Sequence, residues 1–303
     1  MSGPIAVEFE AFEHFLGTID EANLDRYRIE FFDRIDHISE LINESDDSDA
    51  LKAEFFKRCH LIDGSIMHQR TRNKPLGYAG DFQLIDWIYT GETAPDGPGQ
   101  LFDRMYHTYE AAEAVRNRKR YFIDKCMDLA HSTDRRIDVL DLACGSCRDV
   151  YEAFEVSQNG HNMYFHCVDQ EPKAIDYAEK LIGRLEHHDH VQLDVANVFK
   201  IKTDRQYDMI WSAGLFDYLD RRTIVVLLKR VWKHLKEGGR IVFGNFGPEN
   251  PTRNGMELVG QWNLIHRSAQ ELVEIVRETK LPVREIDVEA EPNGVNLFCV
   301  ITK

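Results

Sequence analysis

Apolar segments that alternate with helical segments in the second half of the chain constrain its fold more than any other feature. Five of them predict β-strands, at residues 137–142, 163–168, 191–195, 207–212 and 240–246. Because helical segments separate these strands, we expect a parallel sheet with right-handed crossovers. Residues 283–290 and 295–302 predict two more strands, and only Glu291-Pro-Asn-Gly lies between them. A link this short permits a hairpin but no helical crossover, so one terminal strand must run antiparallel.

The first 131 residues contain no convincing strand. Apolar side chains recur there every three to four positions, which predicts amphipathic helices at residues 9–41, 50–67 and 101–131. We therefore expect two domains, an all-helical N-terminal cap or lid over residues 1–131 and an α/β domain with the terminal hairpin over residues 132–303.

Composition limits the classes of function. The chain has 303 residues, 43% of them hydrophobic, and a net charge of −15, so it can bury a core but offers little positive surface to nucleic-acid phosphates. No apolar run approaches the roughly 20 residues of a membrane span, and no signal pattern begins the sequence. The six cysteines suggest no disulfide framework. We predict a cytoplasmic protein with reduced thiols, a small-molecule substrate, no metal, and no nucleic-acid or membrane partner.

Small residues follow the first predicted strand, in the segment Val139-Leu-Asp-Leu-Ala-Cys-Gly-Ser-Cys-Arg-Asp-Val150. Small side chains at Ala143 and Gly145 let the backbone approach a ligand closely, and the next helix offers unpaired N–H groups to a negative charge. The alternative is that Gly145 merely ends a strand.

Acidic residues lie near the ends of the first three strands, at Asp141, Asp169 and Asp194. A carboxylate at the end of the second strand can accept both hydroxyl protons of a ribose. Because the carboxyl ends of parallel strands share one edge of the sheet, we expect the three side chains to line one crevice there.

These motifs resemble those of the class I S-adenosylmethionine-dependent methyltransferases, over residues 137–303. In that family an acidic residue precedes a G-x-G-x-G-like turn, which corresponds here to Asp141 followed by Ala143, Gly145 and Cys147, with two of the three glycines replaced. The resemblance implies a Rossmann-like fold and S-adenosylmethionine as the cofactor.

The resemblance also assigns roles to residues of the later strands. It implies that Asp169, with Gln170 beside it, binds the adenosine ribose, and that Asp194, with Val195, flanks the adenine. The fourth-strand motif corresponds to Trp211-Ser-Ala-Gly-Leu-Phe-Asp-Tyr218, in which we predict Ser212 as a cofactor contact. Leu235-Lys-Glu-Gly-Gly-Arg-Ile-Val-Phe243 resembles the entry to the fifth strand.

A basic residue on the helix before the first strand could reach the methionine carboxylate of the cofactor. Arg116 and Arg118 are the candidates, and we assign Arg116 to the site although the phase of the helix does not choose between them.

A nicotinamide dehydrogenase is the nearest alternative within the same fold class, because an Asp at the end of the second strand suits it equally well. Its fingerprint is G-x-G-x-x-G, whereas Ala143-Cys-Gly-Ser-Cys-Arg148 ends in arginine at the position of the third glycine. The terminal hairpin also favours the methyltransferase.

The segment Arg72-Asn-Lys-Pro-Leu-Gly-Tyr-Ala-Gly-Asp-Phe82 is typical of an irregular lid. Its proline and glycines break helices, and Arg72, Lys74 and Tyr78 are donors suited to a carboxylate. We predict Arg72, Tyr78 and Tyr218 as catalytic residues. The alternative is a loop that only joins two helices.

A second polar segment follows the fifth strand, Asn245-Phe-Gly-Pro-Glu-Asn-Pro-Thr-Arg253, and a helix carrying Trp262 and Arg267 is predicted after it. These two residues are either part of the acceptor site or packing and capping residues.

Two segments resemble the proteins described as 3-hydroxypalmitate methyl ester biosynthesis proteins: Lys74-Pro-Leu-Gly-Tyr-Ala-Gly-Asp-Phe82 and Asn250-Pro-Thr-Arg-Asn-Gly-Met-Glu257. This resemblance implies methylation of the carboxyl oxygen of a hydroxylated fatty acid.

Two other functions fit the same fold. One is an enzyme that cyclises S-adenosylmethionine itself into azetidine-2-carboxylate, which leaves methylthioadenosine. The other is a non-catalytic protein that binds the cofactor as a sensor. Aromatic residues could hold a sulfonium in each case, or could simply form core: Tyr78, Tyr106, Phe216 and Tyr218.

Overall fold

The computed structural model describes residues 4–157 and 162–303. The chain divides into two compact units. We call Met1–Glu113 with Pro251–Asn263 the helical unit, and Ala114–Asn250 with Leu264–Lys303 the sheet unit.

The sheet unit is built on one seven-stranded sheet in the order β3-β2-β1-β4-β5-β7-β6. Its strands are β1 Ile137–Leu142, β2 Met163–Asp169, β3 Val191–Val195, β4 Tyr207–Ser212, β5 Leu235–Phe246, β6 Glu285–Ala290 and β7 Asn296–Thr302. The first five are parallel, whereas β7 lies antiparallel between β5 and β6. The predicted α/β fold with a terminal hairpin is confirmed.

Both faces of this sheet are buried, because successive positions of the central strands carry apolar side chains that point to opposite faces. Val139, Phe165 and Trp211 belong to the core of one face, and Leu140 and Ile210 to the core of the other. The helices that follow or flank the strands are α7 Glu110–Ser132, α8 Arg148–Val156, α9 Pro172–Ile182, α10 Arg221–Trp232 and α11 Ala269–Glu278. Burial on both faces is what a parallel sheet covered by helices requires.

The helical unit contains α1 Pro4–Leu16, α2 Leu24–Asn43, α3 Ser48–Arg58, α4 Ile66–Asn73, α5 Phe82–Thr90 and α6 Gly97–His107. A π-helical turn over Gly255–Val259 also belongs to it. Contacting phenylalanine rings fill its core, with Phe55 lying 5.2 Å from Phe9 and 5.1 Å from Phe12 between ring centroids.

The helical region predicted at residues 9–41 is divided between α1 and α2, and the single helices predicted at residues 50–67 and 101–131 are each interrupted, so those two predictions of one continuous helix are wrong. Hydrogen bonds from Gly17 and Thr18 to carbonyls of the last turn end α1. Ser65 caps α4 through the His68 N–H, and Thr108 separates α6 from α7. Local hydrogen bonds of this kind compete with helix continuation, and apolar periodicity does not reveal them.

The compact units divide the chain differently from the predicted boundary between residues 131 and 132. Most of α7 lies in the sheet unit, because its Phe122 and Cys126 are buried in the core formed with β1 and β2. Pro251–Asn263 returns to the helical unit.

No helix within residues 4–157 and 162–303 is long and apolar enough to cross a membrane.

Candidate functional site

Asp169 at the end of β2 organises the turn that follows β1. Its Oδ2 accepts a hydrogen bond from the Gly145 N–H at 3.0 Å, and its Oδ1 accepts one from the Glu171 N–H at 2.9 Å. Asp141 on β1 pairs with Cys167 in the register of the two strands. Because side chains alternate along a strand, Asp141, Cys167 and Asp169 lie on the same face of the sheet.

Three residues of the turn after β1 adopt left-handed backbone conformations: Ala143 at φ 57°, Gly145 at φ 58° and Cys147 at φ 53°. Only glycine takes this conformation without a steric cost, which for another residue is roughly 1 kcal/mol or more. Strain of this kind concentrates at functional sites. A hydrogen bond from the Cys144 N–H to the Val168 carbonyl at 3.2 Å helps to hold the turn.

Asp141 carries a buried carboxylate oxygen that no donor of the described residues satisfies. Its side chain is 1% exposed, and Oδ2 has no hydrogen-bond partner there. Burial, reinforced by the neighbouring Asp149 and Asp169 carboxylates, raises the pKa of Asp141 well above its usual range. An unsatisfied buried polar atom is costly, so a ligand that brings a donor fits this position.

Val195 offers apolar surface next to Asp169. The two residues pair in the register of β2 and β3, and Val195 is 53% exposed although it is a large hydrophobic residue. Gln170 follows Asp169 and accepts a hydrogen bond from the Asn197 side chain at 3.4 Å. A flat, partly apolar group such as a purine ring fits against Val195.

Asp194 does not join the other two carboxylates. It pairs with Val168, one position before Asp169, so it lies on the opposite face of the sheet. Its Oδ2 accepts hydrogen bonds from His166 Nε2 at 2.7 Å and from the Gln192 amide at 2.8 Å. The expectation that three carboxylates line one crevice is therefore wrong for Asp194.

Arg118, rather than Arg116, lies beside the end of β4. It is 5% exposed, and a methyl group built on Gly214 would lie 3.2 Å from its Nη1. Its Nε has no hydrogen-bond partner among the described residues. Arg116 is only half-buried, and two positions along a helix place it on a different side.

Ser212 and Tyr218 frame the other side of this edge. Ser212, at the end of β4, is buried and donates a hydrogen bond to the Leu142 carbonyl at 2.9 Å. Tyr218 ends a 3₁₀ turn over Phe216–Tyr218 that follows β4.

Arg267 holds that 3₁₀ turn in place. It lies in an extended segment before α11, so the helix predicted for Trp262 and Arg267 is wrong. Its Nη1 donates to the Phe216 carbonyl at 2.9 Å and to Asn245 Oδ1 at 2.7 Å, and its Nη2 donates to the Leu219 carbonyl. Arg267 is thus a buried capping residue.

Asp217 lies inside the same turn, and burial is the main influence on the pKa of its carboxyl group. Burial raises its pKa to about 6, although the Phe246 N–H donates to its Oδ1 at 2.7 Å and Arg118 and Arg267 lie nearby. An acid whose pKa is higher in the folded than in the unfolded state binds its proton more tightly when folded. The free energy of unfolding therefore falls as pH rises from about 4 to about 6 and stays lower above that range.

We expect Asp217→Asn to remove this loss, because the amide keeps an acceptor for Phe246 and carries no charge. The variant should gain about 2 kcal/mol over the wild type between pH 4.5 and pH 7.5 in urea unfolding. Asp220→Asn is the matched control. Asp220 is exposed, and the hydrogen bond that it accepts from the Thr223 N–H lowers its pKa. Removing the charge of this carboxylate should therefore lower the free energy of unfolding at neutral pH. Equal pH slopes for wild type and Asp217→Asn would contradict the assignment.

Arg72 and Tyr78 lie in the helical unit. Arg72 Nε donates to the Val259 carbonyl at 2.9 Å, Nη1 pairs with Asp63, and the guanidinium lies 4.5 Å over the Phe56 ring. Nη2 is buried with no partner among the described residues. Tyr78 lies in the irregular segment before α5.

Known proteins resemble this chain in the sequence of one segment and in fold. A family model described as a methyltransferase domain matches residues 140–241. No curated protein matches the sequence significantly. The structure resembles that of "a possible exported protein from Bordetella parapertussis", with a TM-score of 0.61, 18% identity, and coverage of 74% of this chain and 79% of that one. It also resembles apo SibL, an S-adenosylmethionine-dependent methyltransferase, with a TM-score of 0.51, 16% identity, and coverage of 73% and 61%.

At these identities the two structures establish the fold, and the matched residues 140–241 run from β1 into β5.

Proposed function

We propose that this chain, an enzyme with a class I S-adenosylmethionine-dependent methyltransferase domain, methylates the carboxyl oxygen of a small hydroxylated fatty acid. The observation that carries the cofactor site is Asp169, fixed by two backbone N–H groups beside the unsatisfied carboxylate of Asp141. The net charge of −15 supports a partner other than nucleic acid, and we propose the cytoplasm as its location.

The cofactor would lie along the carboxyl edge of β1, β2 and β3. Asp169 would accept the ribose hydroxyls, and Gln170 and Val195 would border the adenine. Asp141 and the backbone of Ala143 and Gly145 would receive the methionine part. When bound, S-adenosylmethionine supplies an electrophilic methyl group, and the protein's task is to align the acceptor and exclude water.

Three further residues bind the cofactor or support its site in this proposal. Arg118 replaces Arg116 as the partner of the methionine carboxylate, because it lies beside Gly214 at the end of β4. Ser212 would act through its hydrogen bond to Leu142, which ties the ends of β1 and β4 together. Asp194 is proposed only to support β3 through His166.

The acceptor class is supported by a cavity of about 660 Å³ within the helical unit. Apolar side chains line it together with three lysines, among them Ile42, Phe56, Leu258, Lys52, Lys57 and Lys74. Lys57 is paired with Glu54, whereas Lys52 and Lys74 have no carboxylate partner in the described part of the chain. An anion with an apolar tail suits such a lining, and a carboxylate needs no general base because it is already ionised at neutral pH.

Within this proposal Lys74, which lines the cavity, is better placed than Arg72 to meet the acceptor, and Tyr78 stays a candidate because it lies in the irregular segment before α5. Two of the three nitrogens of Arg72 already have partners inside the helical unit. We retain Tyr218, in the 3₁₀ turn that follows β4, as a candidate catalytic residue.

Tyr78→Ala is expected to lower turnover about tenfold or more while changing the dissociation constant of S-adenosylhomocysteine by less than about twofold. The reason is that a lid residue orients the acceptor rather than the cofactor. Tyr78→Phe, measured in parallel by steady-state kinetics and calorimetry, separates the hydroxyl from the ring. Full turnover in the Tyr78→Ala variant would exclude the lid role.

Product analysis by mass spectrometry tests the reaction type. The protein is incubated with S-adenosylmethionine and a 3-hydroxy fatty acid, and we expect S-adenosylhomocysteine and the methyl ester. Methylthioadenosine with azetidine-2-carboxylate would instead identify the cyclising enzyme. Tight S-adenosylhomocysteine binding without any product from a cell extract would identify a sensor.

A further inference from the structure

Three cysteines and one aspartate converge beneath the turn that follows β1. Ligand atoms of Asp141, Cys147 and Cys167 all lie within 4.8 Å of one another. Interactions with the Cys147 and Cys167 thiols contribute to the pKa of Cys144, so its thiol lies near theirs. Cys147 and Cys167 are 0% exposed, and Cys144 is 8% exposed. Three ligand atoms are thus close enough together to share one ion, and the thiol of Cys144 lies beside them as a fourth candidate.

Backbone geometry builds this cluster from two elements. Cys167 on β2 pairs directly with Asp141 on β1, so their side chains are neighbours on one face of the sheet. Cys144 and Cys147 are spaced as C-x-x-C, and the Cys147 N–H donates to the Cys144 carbonyl at 3.1 Å, which closes a tight turn. Because of this turn, Cys144 and Cys147 are buried in the same core as Cys167.

The chemistry of the cluster suits a thiophilic metal ion. Three sulfurs and one carboxylate oxygen match the number and type of ligands that Zn²⁺ takes in tetrahedral sites, and C-x-x-C is a recurrent ligand spacing. Buried cysteines also act as small apolar side chains. Plain core packing, however, would not place the unsatisfied Asp141 Oδ2 next to three thiols.

We propose that Cys144, Cys147, Cys167 and Asp141 bind one thiophilic divalent cation such as Zn²⁺. Each metal–sulfur bond forms as the thiol releases its proton to solvent, with no change of oxidation state. The sequence alone predicted no metal site. Because Asp141 and the turn also belong to the proposed cofactor site, the metal and S-adenosylmethionine should exclude each other; only this exclusion depends on the proposed function.

Titration of the reduced, metal-free full chain with Co²⁺ tests the proposal. We expect one equivalent to give thiolate-to-cobalt charge-transfer absorption in the near ultraviolet, which Zn²⁺ then displaces. Cys147→Ser and Cys167→Ser should each lower this absorption, and the triple variant that also carries Cys144→Ser should abolish it. Cys299→Ser is the matched control, since Cys299 is also a fully buried strand cysteine but belongs to the other core, and it should leave the absorption unchanged.

The alternatives give different spectra. The group His187, Asp189 and His190 also holds ligand atoms within 4.8 Å of one another, but it offers no sulfur. Cobalt bands without thiolate charge transfer would identify that group and overturn the proposal, and so would absorption that persists in the triple cysteine variant. Failure of S-adenosylhomocysteine to slow Co²⁺ uptake, with the thiolate bands intact, would remove the exclusion and leave the metal site.

Discussion

Asp169→Ala is expected to weaken the binding of S-adenosylhomocysteine about a hundredfold. The variant would lose the two charge-assisted hydrogen bonds that we propose to the ribose, each contributing roughly 1.5 kcal/mol or more, and a factor of ten corresponds to about 1.4 kcal/mol. It also releases the Gly145 N–H, which Asp169 holds at 3.0 Å. Isothermal titration calorimetry measures the change, and circular dichroism checks that the variant is folded.

Asp194→Ala is the matched control for that experiment. Both carboxylates end neighbouring strands, but Asp194 lies on the other face of the sheet and pairs with His166. We expect its removal to change the affinity less than about threefold, since no cofactor contact is lost. A loss as large as that of Asp169→Ala would restore the adenine role predicted from the sequence, and an unchanged affinity in Asp169→Ala would remove Asp169 from the site.

Asp103→Ala is expected to destabilise the helical unit by about 3 kcal/mol or more. Asp103 is 0% exposed and accepts hydrogen bonds from the Ser65 hydroxyl and from the N–H groups of Met67 and Ala94. Alanine leaves these buried donors unsatisfied, at roughly 1–3 kcal/mol each. The melting temperature should fall by about 10 °C.

Asp96→Ala serves as the control. Asp96 directly precedes α6, the helix that contains Asp103, but it is exposed and makes no side-chain cap hydrogen bond. It should shift the melting temperature by less than about 2 °C, as surface substitutions do. If Asp103→Ala had the same melting temperature as Asp96→Ala, the buried hydrogen bonds of Asp103 would not stabilise the helical unit.

The sheet could be predicted from the sequence because its information is local. Each strand is a short apolar run bounded by polar residues, and the tight Glu291–Gly294 link alone required an antiparallel partner. The helical region was harder, since its helix ends depend on single hydrogen bonds such as the Ser65 cap, which periodicity does not contain.

The site was predictable where a residue's role depends on its own strand, and not where it depends on pairing. Asp141 and Asp169 meet as expected, but Asp194 differs because the register of β3 places it on the other face. The choice of Arg118 over Arg116 needed the rotation of α7. The cysteine cluster needed the Asp141–Cys167 pairing, which no single segment encodes.

The position of β7 also governs the order in which the sheet can form. β6 touches the rest of the sheet only through β7, which lies between it and β5. While the chain emerges from the ribosome, β6 therefore has no strand to pair with until the residues of β7 have also left the exit tunnel. Until then β5 presents an unprotected edge, which a nascent chain must keep from other strands.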